Sequence, residues 1–233
     1  MKLATIGSLI AGALCSYEVL VAAQPAADSL LRPPGAANEE DFLSRCVRCG
    51  KCIEVCPPQI LKAADSRAGS ATGTPTFLPR EKACILCEDF PCITACPTQA
   101  LTEVENREDV KIGVAVIDRD LCIALQGMRC EVCYRACPLI DEAITLSYST
   151  REGDAIHSIF EPVIHADACV GCGLCEERCV VSEPHVAIQV QRASSQKTRG
   201  YYPVGEDPAF KNNPAGSDAD STKHPQDPSV LFS

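Results

Sequence analysis

Cysteine is the residue type in this sequence whose number and spacing point most directly to chemistry. The chain of 233 residues contains 17 cysteines, and sixteen of them fall into four groups of four. The groups begin at Cys46, Cys84, Cys122 and Cys169, at intervals of 38, 38 and 47 residues. Cysteine thiolates bind zinc and iron-sulfur clusters, and pairs of thiols also form disulfides. The spacing within each group therefore has to decide among these three chemistries.

Two of the groups are compact and two are stretched by extra residues. Group one is Cys46, Cys49, Cys52 and Cys56; group two is Cys84, Cys87, Cys92 and Cys96; group three is Cys122, Cys130, Cys133 and Cys137; group four is Cys169, Cys172, Cys175 and Cys179. Groups one and four have the C-x2-C-x2-C-x3-C spacing of bacterial ferredoxins, and a proline follows the last cysteine of groups one, two and three. We predict that these sixteen cysteines are the iron ligands of four [4Fe-4S] clusters.

Zinc and disulfides fit the spacing less well. Structural zinc sites usually combine two C-x-x-C pairs across a long spacer, whereas here four cysteines arrive within a short stretch. Repeated C-x-x-C steps are also poor geometry for disulfides. A zinc-binding interaction protein remains a separate hypothesis, which metal analysis would distinguish from a cluster protein.

The groups are expected to work in pairs, because the fourth cysteine of such a run ligates the neighbouring cluster. Sequential pairing would join group one with two and group three with four. Nested pairing would join group one with four and group two with three. The spacing slightly favours nesting, since the two compact groups would then share one module and the two stretched groups the other.

The elements around the cysteines repeat with them, as an internal repeat requires. A short extended segment leads into group three at Gly113–Ile117 and into group four at Phe160–Ile164. A helical turn carries the last cysteine, and a short apolar strand is predicted to follow, as at Ile60-Leu61, Ala100-Leu101 and Val186–Val190. We therefore predict an α+β fold of two bacterial-ferredoxin-like modules, rich in loops and stabilised by clusters. Nesting would give an inner module of about 76–150 and an outer module of about 42–75 plus 151–192.

The ends of the chain differ in composition from the repeats. Residues 1–23 have a positive start and apolar runs, which predicts an export signal or N-terminal anchor. Residues 24–41 contain consecutive prolines and a glycine and are predicted to be a linker. The four-cluster domain is predicted over 42–192, and the polar tail 193–233 is predicted to be disordered.

The amino-terminal segment is an incomplete export signal. Clusters assemble in the cytoplasm, so an exported cluster protein is expected to use the twin-arginine route, yet no arginine pair precedes the apolar run. An upstream start, an atypical signal and retention inside the cell stay open. Cys15 lies in this segment and is excluded from the ligand set; Leu14 before it is larger than the residue that normally precedes a lipidated cysteine.

The charge of the chain indicates which partners it can attract. The formal net charge is -10 and the pI is about 4.9, which argues against nucleic acid as a partner. An acidic surface suits docking onto a basic patch of a redox protein. The sequence also lacks a glycine-rich dinucleotide loop and a nucleophile paired with a base, so no catalytic residues are predicted.

Several stretches resemble the NapG/MauM family of periplasmic ferredoxin-type proteins. They are Leu31-Arg-Pro-Pro-Gly-Ala36, Cys46-Val-Arg-Cys-Gly-Lys-Cys52, Cys87-Glu-Asp-Phe-Pro-Cys92, Cys130-Glu-Val-Cys-Tyr-Arg-Ala-Cys-Pro-Leu-Ile-Asp141 and His165-Ala-Asp-Ala-Cys-Val-Gly-Cys-Gly-Leu-Cys-Glu176. The resemblance covers about residues 31–190 and leans toward the NapG branch.

The resemblance implies a role for the chain in a redox pathway. It implies an electron-transfer subunit of a quinol dehydrogenase system that is not catalytic alone. Electrons would come from a membrane-bound, quinol-oxidising ferredoxin-type protein and pass to a periplasmic acceptor, a cytochrome or a molybdenum reductase of the nitrate reductase type. It further implies nested pairing, export, and a periplasmic location at the inner membrane. The alternatives are an accessory role in methylamine dehydrogenase maturation and an iron-sulfur subunit of another molybdenum oxidoreductase.

Overall fold

The elements of secondary structure are short and are separated by loops. The structure, a computed structural model, describes residues 30–36, 38–151 and 154–192, which fall in one compact unit. The helices are α1 (Glu39–Arg45), α2 (Lys51–Glu54), α3 (Pro91–Thr94), α4 (Val132–Ala136) and α5 (Leu174–Arg178), and the strands are β1 (Lys62–Ala63), β2 (Pro75–Thr76), β3 (Val114–Ile117), β4 (Ile144–Arg151), β5 (Asp154–Ile164) and β6 (Ile188–Gln191). Two 3-10 helices lie at Ser66–Ala71 and Arg107–Asp109. This mixture of helix and strand confirms the predicted α+β class.

The strands form three antiparallel pairs. β1 pairs with β2 between groups one and two, and β4 pairs with β5 between groups three and four. β3 pairs with β6, with Val114 opposite Gln191 and Ile117 opposite Ile188. Because β3 precedes group three and β6 follows group four, this pair joins the start and the end of the second half of the chain.

The helices begin and end where local chemistry favours it. Asn38 caps α1, since its side chain accepts hydrogen bonds from the backbone N–H groups of Glu40 and Asp41, at 2.9 and 3.3 Å. Acidic residues occupy the first turn of α1 and Arg45 the last, in keeping with the helix dipole. α3 begins with Pro91, whose missing N–H costs nothing at this position.

The main hydrophobic core includes cysteines as well as ordinary apolar side chains. Phe42, Phe77, Leu86 and Val110 are almost fully buried within it. Four buried cysteines belong to the same core: Cys56, Cys84, Cys92 and Cys172. The segment Ile60-Leu61 after group one stays outside the strands but is also buried there. Aromatic content is only 5%, so the cysteine sites supply part of the interior that large side chains would otherwise fill.

The segment before α1 is packed, and the prediction of a linker over 24–41 is wrong for its described residues. Leu31, Pro33 and Ala36 are buried, and Arg32 is only 1% exposed. Consecutive prolines exclude helix and strand, but they also remove backbone N–H groups that burial would have to satisfy. The fold therefore begins near residue 30, and α1 begins at Glu39 inside the predicted linker.

A buried ion triad holds this segment in place. Arg32 donates from Nε and Nη2 to Glu39, at 3.0 and 2.5 Å, and from Nη1 to the Thr74 hydroxyl at 2.8 Å. Its guanidinium also lies 4.9 Å from the centroid of the Phe42 ring. Arg192 donates to the same Glu39 carboxylate at 2.5 Å. The triad thus ties the first described segment to the last described residue.

Residues 1–29 and 193–233 lie outside the described part of the chain. The predicted export signal and the predicted disordered tail fall there and stay predictions. Among the described residues, no helix has the length and apolar character needed to cross a membrane.

Candidate metal centres

The sixteen predicted ligand residues line four separate cavities, four cysteines to each. Site A is lined by Cys46, Cys49, Cys52 and Cys96; site B by Cys56, Cys84, Cys87 and Cys92; site C by Cys122, Cys130, Cys133 and Cys179; site D by Cys137, Cys169, Cys172 and Cys175. All sixteen are free thiols. In every site three cysteines come from one group and the fourth from another, as the ferredoxin pattern predicts.

The fourth cysteines pair the groups sequentially, so the nested pairing that the sequence favoured is wrong. Cys56 of group one joins group two, and Cys96 of group two joins group one. Cys137 and Cys179 make the same exchange between groups three and four. Residues 42–75 therefore belong with group two and not with group four.

The physical reason lies in the helices and hairpins between the groups. α2 packs against α3, and α4 packs against α5. Each helix has one ligand within it or at its start and the next ligand just after it, so packing two helices places both crossing cysteines beside their partner loops. The antiparallel pairs β1–β2 and β4–β5 return the chain between the groups of each module. Compact and stretched spacing changes the size of a loop, but it does not decide which helices pack together.

A residue with left-handed backbone precedes the second cysteine in three of the loops. Arg48 has φ 56°, Leu86 has φ 53° and Gly171 has φ 70°. A non-glycine residue is strained in this region, so surrounding contacts must hold Arg48 and Leu86 there. The Arg48 guanidinium donates to the carbonyls of Thr72 and Ser70, each at 2.9 Å. Leu86 is fully buried.

A second left-handed residue starts the helix in the same three loops. Gly50, Phe90 and Gly173 occupy this position before α2, α3 and α5. The two reversals make each loop turn tightly enough for successive cysteines to face one cavity.

Backbone N–H groups also face the cavities and donate toward the thiols. Leu86 donates toward Cys84, and Leu174 donates toward Cys172. Hydrogen bonds of this kind favour the charged form of the sulfur. Burial acts in the opposite direction and dominates, because it raises the pKa of both cysteines to about 12. Without iron these thiols would hold their protons at neutral pH, so cluster assembly must displace them.

The residues present fit [4Fe-4S] clusters. Each cavity offers four sulfur donors, the ligand number of a cubane cluster, and the loops supply N–H groups for its sulfurs. The lining between the ligands is mainly apolar, as at site C, where Ile117, Ala187 and Ile188 contribute. Apolar surroundings limit solvent access, which helps set the potential of a cluster.

Sequence reasoning missed two features of the sites. Pro34 lines site B, and Phe42 with Pro75 lines site A, although the segment containing Pro34 was expected to be a linker. The Leu31–Ala36 stretch was one of those that resemble the NapG/MauM family, and that resemblance was a signal that the segment is part of the fold. The second missed feature is Gly113. Its backbone approaches Gly171 so closely that no Cβ fits at Gly171.

Comparison with known proteins gives consistent matches. The family of 4Fe-4S dicluster domains matches residues 45–100 and 127–182. The first match contains groups one and two, and the second contains groups three and four except Cys122. The chain is 48% identical over 160 residues to the ferredoxin-type protein NapG of Escherichia coli, covering 68% of this chain and 69% of the relative. It is 39% identical over 207 residues to the methylamine utilization ferredoxin-type protein MauM of Methylorubrum extorquens, covering 88% and 91%. No solved structure matches the chain.

Two dicluster domains and four cysteine quartets together establish the cofactor. The protein carries four [4Fe-4S] clusters, and it is an iron-sulfur electron carrier. The relatives named NapG and MauM align with this chain over most of its length, at 38–48% identity. The chain belongs to the NapG/MauM family of ferredoxin-type proteins.

Proposed function

We propose that this protein receives electrons from a membrane-bound, quinol-oxidising ferredoxin-type partner and passes them to a periplasmic reductase of the nitrate reductase type. The observation that carries the proposal is the 48% identity to NapG combined with four complete cysteine quartets. The protein acts as an electron-transfer subunit and has no substrate reaction of its own. The sixteen cysteines of the four groups are the iron ligands.

The location that goes with this function is the periplasm. The apolar segment within residues 1–23 serves as the export signal or anchor, and the partner holds the protein at the inner membrane. Cell fractionation with an antibody against the protein checks this part. Recovery of the protein in the cytoplasm alone, with residues 1–23 retained, would contradict it.

A genetic experiment tests the route of the electrons. Deletion of the gene in its own organism is expected to slow nitrate reduction driven by the quinol pool, while nitrate reduction by reduced viologen in the same cells stays unchanged. The viologen delivers electrons directly to the reductase, so it controls for the amount of that enzyme. A plasmid copy restores the rate, and a Cys49→Ser copy restores it only in part. Equal quinol-driven rates with and without the gene would reject this route.

A second candidate function is an accessory role in maturation of methylamine dehydrogenase. It is favoured by the length of the MauM match, which covers 88% of this chain compared with 68% for NapG. Loss of growth on methylamine in the deletion strain, with nitrate reduction intact, would select this candidate. If both phenotypes are normal, the remaining candidate is an iron-sulfur subunit of another molybdenum oxidoreductase.

A further inference from the structure

The two modules meet through the loops of groups two and four. The backbone N–H of Cys84 donates to the carbonyl of Cys172 at 2.9 Å. The N–H of Ala83 donates to the Glu177 carboxylate at 2.8 Å. Pro79 faces Gly173, where an added Cβ would lie 2.5 Å from the proline ring. These contacts place a ligand of site B directly against a ligand of site D.

The hydrogen bond between Cys84 and Cys172 joins two cysteines that line different sites. Cys172 belongs to site D with Cys137 and Cys169, whereas Cys84 belongs to site B. Sites B and D are therefore neighbours across the boundary between the modules.

Within each module, the cysteines in and just after one helix line two different sites. Cys52 on α2 lines site A, and Cys56 just after α2 lines site B. Cys175 on α5 lines site D, and Cys179 just after α5 lines site C. Site A thus adjoins site B, and site C adjoins site D.

The burial of the cysteine ligands also differs between the sites. Three of the four cysteines of site B are buried, and Cys172 of site D is buried. The four cysteines of site C are all partly exposed, and Cys49 of site A is exposed. Sites B and D thus each have at least one buried ligand, whereas sites A and C have none.

We infer that the four clusters form one unbranched chain in the order A, B, D, C, with sites A and C as the two ends where electrons enter and leave. The role of the ends rests on the proposed relay function, but the order rests on the contacts alone. The group order along the sequence does not predict it, because the third cluster of the relay is the one held mainly by group four. Partners that dock at opposite ends of such a chain need not compete for one surface.

Paramagnetic coupling between reduced clusters tests the order on the holoprotein. Clusters broaden each other's EPR signals when they are close neighbours. In a Cys169→Ser variant that lacks cluster D, the signal of cluster C should lose its broadening, while A and B remain coupled. In a matched Cys130→Ser variant that lacks cluster C, cluster D should stay broadened by B. Loss of broadening of D in the second variant, or broadening of C in the first, would overturn the order.

A measurement on the wild-type protein covers the case in which a variant fails to assemble. Brief treatment with ferricyanide and EDTA should strip iron from the exposed sites first, and an alkylating reagent then marks the freed thiols. Mass spectrometry should find the cysteines of sites A and C labelled several-fold earlier than those of B and D. Equal or earlier labelling of B and D would contradict the assignment of the ends. Neither test depends on which reductase the protein serves, so failure of the proposed route leaves both results unchanged.

Discussion

Cys179 is the ligand that most sharply separates the two ways of pairing the groups. The structure places it in site C with Cys122, Cys130 and Cys133. In nested pairing it would instead complete the cluster of Cys46, Cys49 and Cys52. We predict that a Cys179→Ser variant loses or alters the cluster of group three, with a loss of at most about four irons.

Double variants make this prediction quantitative. Cys179→Ser combined with Cys122→Ser affects one cluster in the sequential arrangement, so its iron loss should equal that of the single variants. Cys179→Ser combined with Cys49→Ser affects two clusters and should lose about eight irons. Iron and sulfide analysis of anaerobically purified protein measures both. The reverse pattern of losses would restore nested pairing.

The spacing of the cysteines was sufficient to identify every cysteine of the four cavities and to assign three of the four to each site. It was not sufficient to assign the fourth cysteine of each site. Residues within a loop are neighbours by covalent connection, but Cys56 and Cys84 meet only because α2 packs against α3. That packing depends on side chains spread over both helices, and single-sequence spacing does not record it.

We also predict that the Glu39 carboxylate stabilises the fold. Burial alone would raise its pKa, but the hydrogen bonds and charges of Arg32 and Arg192 hold that pKa below its usual range. A Glu39→Ala variant leaves two guanidinium groups in the interior without their shared carboxylate. Breaking a buried ion pair costs about 3–5 kcal/mol, and we expect the lower end because Glu39 is partly exposed.

Thermal unfolding of the holoprotein measures this loss. A cost of about 3 kcal/mol corresponds to a decrease in Tm of roughly 6–12 °C for a chain of this size. Arg45→Ala is the matched control, because Arg45 pairs with Asp41 on the surface, where an ion pair contributes at most about 1 kcal/mol. Equal shifts in the two variants would show that the triad does not stabilise the fold.

Two glycines of the cysteine loops are predicted to differ in how well they tolerate a larger side chain. Gly171 has φ 70°, and a Cβ there would overlap the backbone N and O of Gly113. Gly50 has a similar φ of 76°, but no atom lies within 4 Å of an added Cβ. Gly171→Ala should therefore distort site D and reduce iron by about four per chain, whereas Gly50→Ala should bear only backbone strain of about 1–2 kcal/mol.

Iron content and the EPR signal of cluster D distinguish these glycine variants. Full iron content in Gly171→Ala would mean that the loop of group four can move away from Gly113. A loss in Gly50→Ala as large as that in Gly171→Ala would mean that left-handed strain alone, and not close approach, limits the loops.

Some elements followed from the sequence more closely than others. The extended segment before group three was predicted over 113–117 and is observed as β3 (Val114–Ile117). Ile60-Leu61 and Ala100-Leu101 were predicted to be the same kind of segment, yet they lie outside the strands. Their apolar residues are needed in the core, and burial does not require a paired strand. At these two segments the apolar pattern therefore predicted burial correctly but strand pairing wrongly.

The molecule as a whole depends on its cofactors for a filled interior. Cysteines form part of the main core, and the thiols of Cys84 and Cys172 are protonated at neutral pH without iron because burial raises the pKa of each to about 12. We predict that iron removal by a chelator under oxidising conditions abolishes cooperative thermal unfolding and accelerates amide hydrogen exchange throughout residues 42–192. Retention of protected amides in β3 and β6 after complete iron loss would show that the polypeptide folds without clusters.

Redox stoichiometry on anaerobically purified protein tests most directly whether the whole molecule is a carrier with four [4Fe-4S] clusters. A four-cluster carrier should contain about sixteen irons and sixteen acid-labile sulfides per chain, and its broad visible absorbance should be bleached by dithionite with the uptake of about four electrons, one for each cluster. A colourless protein with stoichiometric zinc, or a coloured one that takes up only about two electrons at about eight irons per chain, would contradict it.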